Sequence, residues 1–500
     1  MPAFERPRFA FSRDLFLRLL GLVYGIAFLS LAPQLPGLVG SEGLLPAAAY
    51  LERVHEVQGA EAYYRLPTLL WLWPGDALLL GLCWAGIALS AGAVAGLAPI
   101  ATFAALWLCY LSLTVAGQGF LSFQWDVLLL ETGLLAVLYA PAVGRVRLWA
   151  GAEPGAAARW LVWGLAFKLT FLSGITKLLS GDETWWGLTA LRYHYETQPI
   201  PTWLGWYAHQ APAWLATLST GVMFAIELAA PFVILFPPRF RRVRAAGVAL
   251  LCLLQALIAL TGNYGFFNLL TVVLYLALLD DATIARVVPG LGARDPGPSP
   301  STRTTPPRPR WRRAGLAAAA VTMALLSTYT FVREIRRPDP MPEWSAELFG
   351  WVAPFRSVNG YGLFRSMTVE RPEIAVEGSA DGITWTEVPF RWKAGDPQRA
   401  PGFVQPHMPR LDWQMWFAAL GPRAEAHWLF PLAQHLLEAS PAVLGLLDDA
   451  NPFADEPPRF IRLVLYDYRF TTLDEGSDGA WWRRELIAYL TEPIARDDLR

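Results

Sequence analysis

A multi-pass α-helical membrane bundle of about nine spans, followed by a soluble, β-rich α+β C-terminal domain, is the fold class this sequence predicts. Three observations carry it. The chain of 500 residues is 54% hydrophobic and 17% charged, with a mean hydropathy of +0.32, too apolar for an ordinary soluble protein. Apolar runs with few charges recur through residues 1–335, most of them near the ~20 residues a helix needs to cross hydrocarbon at about 1.5 Å per residue. Beyond residue 336 the hydropathy falls, and alternating segments punctuated by turns replace those runs.

The first run, 15–35, follows Arg6, Arg8 and Arg13, contains Arg18 and is succeeded by further spans, so it is a retained helix rather than a signal peptide. Residues 36–74 mix Glu52, Glu56, Glu61 and Arg65 with Tyr50, Tyr63, Tyr64, Trp71 and Trp73, the pattern of an amphipathic segment at headgroup level. Further spans are expected at 77–96, 100–117, 125–143, 160–179, 218–236, 245–260, 266–279 and 314–332. With nine spans, Arg145 and Arg147, then Arg239, Arg241, Arg242 and Arg244, then the linker 281–313 with its Pro/Arg/Ser/Thr-rich tract from Arg294 all fall on one side. Basic loops resist translocation, so that side and the N-terminus are assigned to the cytoplasm. The loop 180–217 and the domain 336–500 are then extracytoplasmic.

In that domain, 373–379 (EIAVEGS) and 383–392 (ITWTEVPFRW) flank Ala-Asp-Gly, whose glycine supplies the positive φ of a tight hairpin turn. Strands are also expected from Ile461 (IRLVLYDYRF) and over 481–489. Helices are expected over 411–420, with Asp412 near its start, and over 428–437. Trp413, Trp416 and Phe417 are expected to pack against the sheet or the bundle, since an exposed aromatic cluster would be a large apolar patch.

Several function classes are excluded early. The three cysteines, Cys83, Cys109 and Cys252, all lie in apolar runs, leaving no C-x-x-C, zinc spacing or disulfide framework. No basic face interleaved with aromatics suggests nucleic acid. Neither a nucleophile elbow nor a phosphate loop is present.

Chemistry or recognition is expected in the polar, aromatic stretch 177–212 (KLLSGDETWWGLTALRYHYETQPIPTWLGWYAHQAP) between two apolar runs. Such a segment must lie outside the hydrocarbon, where its backbone is hydrated or paired. Inside the spans, Lys168, Glu227 and Glu131 each cost several kcal/mol unless paired or wetted, so an ion pair of Lys168 with one of the acids is expected. Thr170, Ser173, Gly174 and Lys177 recur at i, i+3, i+4 and i+7 on one helix face. One reading is small-residue packing with Lys177 snorkelling to the interface; the other is a desolvated Lys177 acting as a base with Asp182 or His194 assisting. His194 and His209, near Tyr193, Glu196 and Asp182, match no standard metal spacing and read as hydrogen-bonded interfacial groups, with no metal or cofactor expected. The proposed pocket gathers Lys177, Asp182, Trp185, His194 and Glu196, with Tyr193, His209 and Asn263 as further binding groups; the TGNYGFFN turn that holds Asn263 and Asn268 closes over the loop.

FQWDVLLLETG at Phe123, SGITKLLSGDETWWGLTALRYHYETQPIP at Ser173, LTGNYGFFNLLT at Leu260, NGYGLFR at Asn359 and PHMPRLDWQMWFAALG at Pro406 resemble the signatures of the lipase maturation factor family across nearly the whole chain. The resemblance implies a multi-pass membrane protein that assists folding of secreted proteins such as lipases, resident in the endoplasmic reticulum in eukaryotes. Its implied partners are membrane lipids and a secreted client. The abundance of Ala, Arg, Gly and Pro and the absence of cysteine from the outer parts point to a prokaryotic member in the plasma membrane. The membrane half is also distantly similar to the vitamin K-dependent carboxylase family through Gly174, Lys177, Leu178, Asp182, Trp185 and Gly187, which implies the alternative of a membrane enzyme acting on a lipid or quinone-like substrate with Lys177 as base.

Overall fold

The computed structural model describes residues 8–146, 148, 153–236, 240–287, 310–337, 340–421 and 426–499. Arg6, Arg147, Arg239 and the linker tract 288–309 lie outside the described residues. The chain opens with a long helix, α1 (Ala10–Leu31), then three short ones, α2 (Leu35–Val39), α3 (Ala47–Gln58) and α4 (Glu61–Arg65). An antiparallel pair follows, α5 (Asp76–Ala95) and α6 (Pro99–Ala116). Gly96, at φ 75°, stops the first, and Pro99, whose missing N–H costs nothing at a helix start, begins the second. Next come α7 (Gln124–Tyr139) and α8 (Ala156–Leu178), the loop helices α9 (Glu183–Trp186), α10 (Leu191–Thr197) and α11 (Trp203–His209), and then α12 (Ala213–Ala229) and α13 (Arg241–Thr261). The bundle closes with α14 (Phe267–Leu276), α15 (Asp281–Val287) and α16 (Arg310–Arg336).

Among the described residues, seven helices are long and apolar enough to cross a membrane: Ala10–Leu31, Asp76–Ala95, Pro99–Ala116, Ala156–Leu178, Ala213–Ile234, Arg241–Thr261 and Ala314–Arg336. The other two expected spans, 125–143 and 266–279, hold shorter helices, α7 of 16 residues and α14 of 10, yet both carry the chain from one end of the bundle to the other, since Arg145 after α7 pairs with Leu97 and the Asp281 N–H after α14 donates to Arg8 O beside the start of α1. At 1.5 Å per residue α14 rises about 15 Å, half of a ~30 Å hydrocarbon core. Its Leu270, Val273, Leu274 and Tyr275 are buried against other helices.

The C-terminal part contains α17 (Glu343–Val352), β1 (Pro372–Ser379), β2 (Thr386–Glu387), α18 (Arg410–Leu420), α19 (Leu429–Leu437), α20 (Pro441–Leu444), β3 (Phe460–Phe470), β4 (Trp482–Tyr489) and β5 (Ile494–Ala495). The sheet is antiparallel in the order β2-β1-β3-β4, with β5 on β3 at Phe460 and Ile461. Its spine is β1 on β3, in register from Pro372 opposite Asp467 to Ser379 opposite Phe460. The expected hairpin is present: Gly382 has φ +76°, and the Asp381 carboxylate accepts the N–H groups of Ile383 and Thr384. Asp412 does not cap α18; its Oδ1 accepts the backbone N–H groups of Trp392 and Lys393 at 2.8 and 2.9 Å.

One apolar cluster runs from Phe9 and Phe28 through Trp125 and Leu270 to Trp413, Leu432 and Leu463, so bundle and C-terminal part share a core. Trp413 and Trp416 are buried, whereas Phe417 is half-exposed and stacks on Phe123. The Trp413 ring meets Trp125 edge-on at 4.7 Å, which places it against the bundle rather than its own sheet.

Candidate functional site

Gly174 decides how α8 meets α12. A Cβ there would lie 2.9 Å from Leu228 Cδ2 and 3.0 Å from Glu227 Cβ, so the two backbones touch as closely as a missing side chain allows. That approach brings Lys177 Nζ within 2.8 and 3.0 Å of the two Glu227 carboxylate oxygens. Both side chains are under a tenth exposed (6% and 7%). The ammonium also sits 5.2 Å from the Trp185 ring centroid. The small-residue packing reading therefore holds, but its snorkelling lysine is corrected to a buried ion pair. On the same helix Lys168 Nζ donates to Glu131 Oε1 at 2.6 Å, so Glu131 is the acid it chooses and Glu227 belongs to Lys177.

The five residues expected to converge do not. Asp182 turns away from Lys177 to cap α9, accepting Thr184 N–H at 2.8 Å and Thr184 Oγ1–H at 2.7 Å, and it also accepts Met367 N–H at 2.6 Å. Burial raises its pKa, but these donors outweigh that and hold the carboxyl below its ordinary range. His194 stays near Lys177: burial first, then the Lys177 charge, pushes its imidazole down to about 4, and its Nε2 lies 3.1 Å from Tyr264 Oη. Glu196 is elsewhere, accepting Phe470 N–H at 3.0 Å and lying 3.7 Å from His209 Nε2. Tyr193 packs beside Trp185, Ala190 and Phe224. Asn263 donates to Gly402 O at 2.8 Å and accepts Val404 N–H at 2.8 Å, while its backbone N–H donates to Ile200 O, so the turn does meet the loop. Asn268 donates to Gln255 Oε1 at 2.8 Å, inside the bundle. Sequence proximity placed these groups together; the short helices α9 and α10 point their side chains in different directions.

What the polar groups build is a seam between the bundle and the C-terminal part. Arg410 on α18 forms a two-pronged pair with Asp126 on α7, Nη2 to Oδ1 at 2.7 Å and Nη1 to Oδ2 at 2.9 Å, with both side chains at 1% exposure or less. Tyr110 Oη–H donates to the same Asp126 Oδ1 at 2.5 Å. Glu131, besides holding Lys168, accepts Asn359 N–H at 2.9 Å and Tyr361 Oη–H at 2.8 Å. Gln34 spans the seam twice, donating to Met408 O and accepting Arg410 N–H, both at 2.9 Å. Arg371, buried, donates to Glu196 O, Gln198 O and Pro199 O of the central loop and to Glu373 Oε1 at 2.7 Å. Trp185 Nε1–H reaches Phe364 O at 3.1 Å, and Trp416 Nε1–H reaches Thr197 O at 2.8 Å.

Asp126, Tyr110, Arg371 and Arg410 were not singled out from the sequence. A signal existed: an acid early in an apolar run, and an arginine opening an aromatic-rich amphipathic helix, each needs a buried partner. Among the described residues no three His, Cys, Asp or Glu side chains group closely enough to hold a metal ion. The polar groups of the seam are occupied in joining the two parts, and the arrangement is that of a clamp.

Comparison with known proteins returns two family models. The lipase maturation factor transmembrane domain matches residues 11–286, and the lipase maturation factor C-terminal domain matches residues 357–491. Lipase maturation factor 2 of Homo sapiens is 37% identical over 97% of this chain and 83% of its own length. Lipase maturation factor 1 of Bos taurus is 35% identical over 98% of this chain and 90% of its own length. No solved structure matches.

Proposed function

Because this chain belongs to the lipase maturation factor family, with matched models over both its membrane and C-terminal parts, we propose that it is a membrane-embedded maturation factor that helps a secreted client, a lipase, reach its folded form. The observation that carries this reading is the match to relatives of that name along nearly the whole chain. We place the N-terminus and the linker 281–313 in the cytoplasm, the loop 180–217 and residues 336–500 outside, and the whole in a plasma membrane. The sheet offers a surface suited to an incompletely folded client. β4 is an edge strand, and its Leu486, Ile487 and Tyr489 are each at least half exposed. An extended segment can add to such an edge through backbone hydrogen bonds, with the exposed side chains supplying apolar contact. The lysine-base alternative gains no support from the geometry, since both carboxylate oxygens of Glu227 engage the Lys177 ammonium.

The test is co-expression of a secreted lipase with and without this protein in a host lacking a relative, measuring lipase activity per mass of secreted lipase. The proposal expects higher specific activity with the protein present. Equal specific activity across a panel of lipases from the same source would overturn it.

A further inference from the structure

The end of α16 carries a cluster of charge that the seam does not use. Glu334 is buried, at 6% exposure, and three guanidinium groups surround it: Arg337 at 3.2 Å, Arg365 at 3.8 Å and Arg333 at 3.9 Å. Gly360 fixes that carboxylate in place, because a Cβ there would fall 2.4 to 2.7 Å from the Glu334 side chain and only a glycine backbone fits against it. Among the described residues Glu334 is the one acid within ion-pair distance of these arginines, so three cations face one anion and two positive charges are left in excess. They border a groove of about 250 Å³ that Asn359 and Gln124 also line. Gln124, which lines it, has its Oε1 buried without a protein hydrogen-bond partner.

Two observations set the level of this groove. The cluster sits at the end of Ala314–Arg336, the last helix long and apolar enough to span a membrane, where headgroups begin. Beside it, α17 exposes Trp344, Leu348 and Trp351 at 71%, 50% and 63%, which recur at i, i+4 and i+7 on one face, while Phe349 turns inward to the Arg333 guanidinium. A helix with such a face lies in the membrane interface.

We propose that the groove binds an anionic glycerophospholipid, its phosphate held by Arg333, Arg337 and Arg365 and a headgroup hydroxyl donating to Gln124 Oε1. Guanidinium groups suit a phosphodiester because their paired N–H donors match its oxygens. This site is independent of the client reading and stands or falls apart from it.

The experiment is lipid retention by the full-length protein in mild detergent, read by native mass spectrometry after titration with phosphatidylglycerol, phosphatidylcholine or inorganic phosphate. Phosphatidylglycerol is expected to be retained over phosphatidylcholine. Arg337→Gln should weaken it about five-fold and Arg337→Gln/Arg365→Gln about 25-fold, from the usual contribution of a basic residue near an anionic surface. Equal retention of both lipids by the unaltered protein, or unchanged phosphatidylglycerol retention by a folded double variant, would overturn the site. Displacement of phosphatidylglycerol by inorganic phosphate would assign the groove to a soluble phosphate and overturn the lipid assignment. If the double variant fails to fold, the unaltered protein still decides: added NaCl must weaken phosphatidylglycerol retention and leave phosphatidylcholine unaffected. Salt-independent retention sinks the proposal.

Discussion

Replacing Lys177 by Met separates a buried ion pair from a snorkelling lysine by its effect on stability. A lysine reaching the interface would contribute little, and its loss would leave melting near that of the parent. The structure instead places Nζ 2.8 Å from Glu227 Oε2 with both groups nearly enclosed. At that distance and an effective dielectric of ~20 the attraction is roughly 6 kcal/mol, offset by several kcal/mol of desolvation for each ion. The pair as a whole is therefore worth little, but Lys177→Met strands the Glu227 carboxylate and should cost about 3–5 kcal/mol. At about 2 °C per kcal/mol, the lower end of the usual range, melting should fall by roughly 6–10 °C. Fluorescence-detected size exclusion after graded heating reads this directly. Lys177→Met/Glu227→Leu should recover most of the loss, since it removes both charges, and the double-mutant cycle then gives the coupling. A Lys177→Met protein that melts within a degree or two of the parent, with no rescue in the double variant, would refute the pairing and return Lys177 to the interface.

Arg410→Met should likewise cost about 3–5 kcal/mol by stranding Asp126, and limited proteolysis should then cut between the bundle and the C-terminal sheet where the parent resists. Trp416→Ala should cost about 3–5 kcal/mol, because it empties a buried site and leaves Thr197 O without its donor; unchanged melting would mean the ring stands free for a client. Acid should destabilise the fold through His194: its folded pKa of about 4 lies below the ordinary 6.5, so the unfolded chain binds the extra proton and stability drops as pH falls from about 6.5 towards 4. His194→Gln should flatten that part of the melting-versus-pH curve. Reporter fusions ending near residues 210 and 400 should both report the outer side of the membrane; a cytoplasmic signal from the second alone would contradict the proposed topology.

The elements were largely legible because each rests on a local rule. The seven long helices follow from uninterrupted apolar length, and the hairpin at Asp381 and Gly382 follows from turn chemistry. α7 and α14 are shorter than the apolar runs that hold them, because hydropathy counts apolar residues without saying where a helix begins or ends. The ends of β2 could not be read either. Of an expected strand of ten residues over 383–392, only Thr386 and Glu387 are strand, with Val388 N–H still donating to Val376 O, after which the Trp392 and Lys393 backbone turns to Asp412.

The candidate site was legible in kind and not in partnership. An acid inside an apolar run announces that it needs a partner, and Glu131 finds one in Lys168, 37 residues away. It does not announce Tyr361, 230 residues away, nor that Asp126 pairs with Arg410 across 284 residues. Such partners are chosen by how folded surfaces meet, which no local period encodes. The segments that carried the family resemblance, around Asp126, Asn263, Asn359 and Arg410, supply many of the groups that cross this seam, joined by Gln34 and Arg371 from outside them. Buried charged pairs contribute modest net stability and large penalties for mispairing, so they disfavour any docking of sheet on bundle that would strand one of these charges. A maturation factor that presents a strand edge to a client gains from holding that edge at a fixed height above the membrane. On the proposed function, the clamp at Asp126, Glu131, Asn263 and Arg371 would fix β4 relative to the bundle in this way.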